Sequence, residues 1–164
     1  MAQCEHLAQQ LGQLLMASGT TVTTAESCTG GGISQAITQI AGSSQWFGHG
    51  FVTYSNDAKT QLLNVPAAVI TEQGAVSQAV VEAMAIGAAE KAQADYAIAV
   101  SGIAGPDGGT PEKPVGTVWI AWQSSKNTVS SEKFIFQGDR NSVRNQAVEK
   151  SLQGLIEIIQ KNTV

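Results

Sequence analysis

The chain has 164 residues, enough for one domain with a substantial core and short for two. Apolar residues make up 43%, which speaks against disordered and fibrous classes, while charged residues make up only 13%, against about 25% in a typical soluble chain. Nine basic and thirteen acidic residues give a net charge of −4 with no basic stripe, which disfavours polynucleotide binding but leaves room for one small anionic ligand.

So thin a cover of charge has two readings. The favoured one is a buried interface in a homo-oligomer, and the other is a surface rich in Ser, Thr, Gln and Asn. Cys4 and Cys28 fit no metal spacing and no disulfide framework, and His6 and His49 stand far from other ligand types. No metal or cofactor is therefore expected. The start lacks a basic head with an apolar run, and no segment approaches the roughly 20 apolar residues of a membrane span. These features point to a reduced, cytoplasmic protein without a membrane partner.

Residues 2–17 carry Leu7, Leu11, Leu14 and Leu15 at helical spacing, with Gly19 as a stop. Residues 21–25 are β-branched and read as a strand, and a glycine-rich turn then leads into a helix over 33–40. A second strand is predicted over 50–54, followed by a helix over 56–63. Ser77 is placed to cap an alanine-rich helix ending near Gln93. Residues 95–101, a compact apolar run, make the best central strand. Residues 115–122 and 129–136 read as a hairpin around 124–127, and Asp139 is placed to cap a final amphipathic helix. The order α-β-α-β-α-α-β-β-β-α predicts one layered α/β domain, residues 1–164, with a mixed sheet.

Four stretches carry the chemistry. In Glu26-Ser27-Cys28-Thr29-Gly30-Gly31-Gly32, a strand end delivers a hydroxyl or thiol beside backbone N–H groups able to face an oxyanion. It has neither the spacing and lysine of a P-loop nor the elbow of serine hydrolases, and by spacing alone a plain tight turn is equally open. In Thr53-Tyr54-Ser55-Asn56-Asp57-Ala58-Lys59, a desolvated lysine could serve as general base to a serine. On its own Lys59 reads as a solvated surface residue, and Asn56-Asp57 as a helix start.

The 13 residues 102–114, with four Gly and three Pro, are long for a bland connection and follow Ser101 out of the central strand. Arg140 and Arg144, the chain's two arginines, lie one turn apart at a helix start, where a phosphate would be favoured unless each pairs with a carboxylate such as Asp139. Cys28 is a rival nucleophile to Ser27, though a buried cysteine more often acts as a small apolar residue.

These stretches, with TVTTAESCTGG (21–31), GFVTYSNDAK (50–59), GAVSQAVVEAMA (74–85), SGIAGPDGG (101–109), KPVGTVWIAW (113–122) and GDR (138–140), resemble the CinA C-terminal domain family over nearly the whole chain. The resemblance implies a three-layer α/β/α sandwich, oligomeric assembly, and hydrolysis of the carboxamide of nicotinamide mononucleotide to nicotinate mononucleotide and ammonia, a step in pyridine-nucleotide recycling. It further implies Ser27 as nucleophile, with Tyr54 and Lys59 assisting. Cys28, Thr29, Gly30, Gly31, Ser101, Gly102, Gly105 and Arg140 are the expected substrate contacts. The alternatives are a nucleotide-binding module without turnover and an amidase for another carboxamide.

Overall fold

A computed structural model of the chain describes residues 2–163. Five strands, β1 (Val22–Glu26), β2 (Phe47–Val52), β3 (Tyr96–Gly102), β4 (Thr117–Gln123) and β5 (Val129–Ile135), form one sheet in the order β2-β1-β3-β4-β5. β1 runs parallel to both β2 and β3, whereas β4 is antiparallel to β3 and to β5. This is the mixed sheet that interleaved helices followed by a late hairpin predict.

Six helices sandwich the sheet: α1 (Ala2–Ser18), α2 (Gly32–Thr38), α3 (Asn56–Leu63), α4 (Ala67–Gln73), α5 (Gln78–Ala92) and α6 (Arg140–Asn162). On one face Leu11 and Leu15 of α1, Ile33 and Ile37 of α2, and Leu152 and Leu155 of α6 pack on Ile98, Val100 and Ile120. On the other, Leu63, Ile70, Val80, Val81 and Met84 from α3–α5 meet Ala25, Ala97, Ala99 and Ala121. β3 therefore alternates branched residues toward α6 with alanines toward α5. The small side chains let the alanine-rich α5 lie close to the sheet, and β3 is buried on both faces. None of the helices is long and apolar enough to cross a membrane among the described residues.

Local signals hold where capping chemistry fixes them. Ser77 accepts from the Val80 N–H and Asp139 from the Ser142 N–H, and Gln93 closes α5 in the left-handed conformation. Two expectations need correction. The second strand is Phe47–Val52, earlier than residues 50–54, because its register is set by pairing with β1, Val22 opposite Phe47 and Glu26 opposite Val52. Tyr54 thus lies beyond the strand. The helix α4 was not expected: it is seven residues long and buries Ile70 alone, too short to show a periodic apolar face.

The seat of α3 depends on one close approach. A Cβ at Gly87 of α5 would land on the Leu63 carbonyl at the end of α3. Gly87→Ala should therefore force the two helices apart and lower stability by about 2 kcal/mol. Urea unfolding would read this as a lower midpoint at an unchanged slope.

Candidate active site

With β1 between two parallel neighbours, the crossovers lie on opposite faces of the sheet, from β1 to β2 through α2 on one side and from β2 to β3 through α3–α5 on the other. The crevice beyond the carboxyl ends of such strands is where open α/β sheets bind ligands. Ser27 follows β1 directly, its N–H donating to the Val100 carbonyl at 3.0 Å as though the strand continued. The Thr53 N–H likewise donates to the Glu26 carbonyl at 2.9 Å, prolonging β2. The chain then turns through Tyr54 into α3, where the Ser55 hydroxyl accepts from the Ala58 N–H at 3.0 Å and starts the helix.

One helical turn later, Lys59 reaches back under its own N-terminus. Its Nζ lies 3.0 Å from Ser27 Oγ, 2.9 Å from the Thr53 carbonyl and 3.3 Å from the Tyr54 carbonyl. The side chain is 1% exposed and its hydrogen-bond partners are all neutral oxygens. Burial pushes the Lys59 ammonium below the ordinary lysine value of 10.5, opposed only by the nearby Cys28 thiol group. Cys28 is itself buried, and desolvation drives its thiol up to about 12. It is a protonated neighbour packed into the core.

A pocket of about 280 Å³ opens over this pair. Of the sequence-predicted residues it gathers Ser27, Cys28, Tyr54, Lys59, Ser101, Gly102, Gly105 and Arg140. Tyr54 is 63% exposed on the rim, where its hydroxyl accepts from Arg140 Nη2 at 3.3 Å. Its contact with Lys59 is through the backbone carbonyl, and its hydroxyl does not bridge Ser27 and Lys59. Arg140 Nη1 also donates to the Gly105 carbonyl at 2.8 Å, tying α6 to the loop after β3.

Thr29, Gly30 and Gly31 lie outside the pocket lining. Thr29 turns its hydroxyl to Glu26 Oε1 at 2.6 Å. Gly30, at φ 60°, closes a turn by donating to the Ser27 carbonyl at 3.0 Å. Glu26 is wholly buried, and its carboxylate also accepts from the N–H groups of Ile33 at 2.8 Å and Ser34 at 3.0 Å. The Glu26 carboxylate sits at the start of α2 and holds the turn, a role that sequence reading missed although an acid shortly before a helix start is a capping signal. Asn56, read from sequence only as part of a helix start, also lines the pocket, as does Asp107 of the loop after Ser101, while Val76 had not been singled out. The expected arginine pair is divided, since Arg140 faces the pocket rim while Arg144 binds the carbonyls of Cys28 and Thr29. Neither goes to Asp139. Among the described residues no three His, Cys, Asp or Glu side chains cluster so as to hold a metal ion.

The sequence pattern of the CinA C-terminal domain matches residues 4–159. The chain belongs to the CinA C-terminal domain family. It is 54% identical over 157 residues to the nicotinamide-nucleotide amidohydrolase PncC of Escherichia coli K12, covering 96% of this chain and 95% of that protein. It is 55% identical over 152 residues to the PncC of Pseudomonas putida, covering 93% and 94%. A CinA superfamily protein from Klebsiella pneumoniae, known from its crystal structure, superposes with a TM-score of 0.92 at 38% identity, covering 96% of this chain and 98% of that one. The sandwich fold expected for this CinA domain is thereby established.

The buried lysine has a consequence for stability. A cation whose folded pKa lies below its unfolded value of 10.5 penalises folding fully at pH below the folded pKa. The penalty fades as pH rises from the folded pKa toward 10.5. The difference in unfolding free energy between wild type and Lys59→Met, measured from pH 6 upward, should therefore stay constant below the folded pKa and shift in favour of wild type between that pKa and 10.5. A difference independent of pH would contradict the depressed value.

Proposed function

We propose that the chain is an amidohydrolase that deamidates nicotinamide mononucleotide to nicotinate mononucleotide and ammonia, with Ser27 as nucleophile and Lys59 as general base, in pyridine-nucleotide recycling. The observation that carries this reading is the 3.0 Å approach of a buried, desolvated Lys59 amine to Ser27 Oγ at the sheet's switch point. The PncC relatives supply the substrate.

A neutral amine has two N–H groups and one lone pair. Donation to the Thr53 carbonyl at 2.9 Å and the Tyr54 carbonyl at 3.3 Å leaves the lone pair for the Ser27 hydroxyl, which then donates to Nζ. Ser27 Oγ attacks the carboxamide carbon as its proton passes to Lys59. The carbonyl electrons move to oxygen, and the backbone N–H groups that follow Ser27 at Cys28 and Thr29, neither with a backbone acceptor among the described residues, stabilise that charge. On collapse the C–N bond breaks, Lys59 returns the proton to the departing ammonia, and an acyl-Ser27 ester remains. Water attacks the ester as its proton passes to Lys59, the C–O bond breaks with Lys59 returning that proton to Ser27 Oγ, and the product acid loses its own proton to solvent as the carboxylate. No step calls on the Tyr54 hydroxyl, which with Arg140 forms a rim suited to the ribose or phosphate.

The test is ammonia release from nicotinamide mononucleotide by purified protein in excess EDTA. Ser27→Ala and Lys59→Ala should each lower kcat by about 10³-fold or more, while Cys28→Ala stays near wild type. Retained turnover in Ser27→Ala would remove the serine from the reaction, and absence of release with the nucleotide still bound would mark a binding module. Because the base must be neutral, kcat/KM should rise with pH along a limb whose apparent pKa lies below 10.5. Arg140→Ala should raise KM for the mononucleotide by about tenfold with little change in kcat. Free nicotinamide, lacking the phosphate, should be insensitive to that substitution.

A further inference from the structure

Arg144 is the one arginine the proposed reaction leaves unused. It is absent from the pocket lining, and its guanidinium faces the back of the nucleophile turn. Nε donates to the Cys28 carbonyl at 3.0 Å and Nη2 to the Thr29 carbonyl at 3.2 Å. A Cβ at Gly30 would stand 3.2 Å from Nη2, so the missing side chain there gives the guanidinium its seat.

A trans peptide is planar, with its N–H opposed to its C=O. Holding the Cys28 carbonyl from the α6 side therefore turns the Thr29 N–H to the opposite side. The Ser27 N–H is engaged by the Val100 carbonyl at 3.0 Å and the Gly30 N–H by the Ser27 carbonyl at 3.0 Å. The N–H groups of Cys28 and Thr29 have no backbone acceptor among the described residues. A cation on a peptide carbonyl also polarises that peptide and makes its N–H a stronger donor. Glu26 fixes the other side of the turn through the Thr29 hydroxyl and the Ile33 and Ser34 N–H groups, so the turn is held at two independent points.

We propose that Arg144 is a positioning residue for the oxyanion site. It orients and polarises the Cys28–Thr29 peptide so that the Thr29 N–H backs the N–H of the pocket-lining Cys28, and the two together receive the oxyanion formed when Ser27 attacks. The proposal rests on the amidohydrolase reading. It predicts a loss of transition-state binding without loss of ground-state binding, because Arg144 touches neither substrate nor Lys59.

The experiment compares ammonia release from nicotinamide mononucleotide and from its thioamide analogue, whose sulfur is a poor guest for N–H donors. Arg144→Met should lower kcat on the carboxamide by about 10²-fold with KM within about threefold. The carboxamide-to-thioamide rate ratio should fall by about tenfold, and Arg144→Lys, which can hold one carbonyl, should recover part of both. A raised KM at unchanged kcat would overturn the proposal and make Arg144 a substrate contact. Equal losses on both substrates would also overturn it, leaving only a structural role. Should Arg144→Met fail to fold, the same ratio in Arg144→Lys decides. A wild-type protein inactive on both substrates would defeat the amidohydrolase reading itself, a result distinct from an active wild type whose ratio Arg144→Lys leaves unmoved.

Discussion

A lysine amine withdrawn from water, with only neutral oxygens for hydrogen-bond partners, is the feature of this fold on which its site turns. An ammonium buried without a carboxylate partner loses most of its hydration, and the folded protein responds by favouring the neutral amine. Lys59 is held there by two devices: the Ser55 cap that starts α3 beside the end of β2, and the carbonyls of Thr53 and Tyr54 that receive its N–H groups. Ser27 reaches the same point because β1 lies between β2 and β3, so that its end is flanked by theirs. The approach of α5 to α3 at Gly87, where any side chain would meet backbone, keeps the helix in place.

The turn that follows Ser27 is built with equal care for its backbone. Glu26 gathers the hydroxyl of Thr29 and the first N–H groups of α2, while Arg144 gathers the carbonyls of Cys28 and Thr29. The two charges work from opposite ends of the same few peptides and fix their dipoles. Glycine at position 30 serves both the positive φ of the turn and the space for the guanidinium. The glycine-rich motif is thus explained by the local geometry of the turn that follows Ser27.

Much of the architecture was legible in the chain. Caps at Ser77 and Asp139, the compact apolar run of β3 and the late hairpin are local signals, and each appears where its chemistry placed it. What escaped was set by long-range partners. The bounds of β2 follow from its register on β1, and α4 from burial of a single isoleucine. In the site, the motif residues Ser27 and Lys59 were nameable, yet the division of labour between Arg140 and Arg144 was not, since helical spacing puts both on one face and says nothing of what each will meet.

The sequence by itself determined the class of fold, the family and a short list of candidate site residues, because these are written in periodicity, caps and a set of motifs in fixed order. Tertiary structure alone decided that Lys59 would be dry, that its amine would lie against Ser27 rather than in solvent, and that the Tyr54 hydroxyl would stand at the rim with Arg140. The reason is physical. Protonation preference and hydrogen-bond partnership depend on desolvation and on distances between residues 32 or 86 positions apart, and those quantities exist only once the sheet has closed.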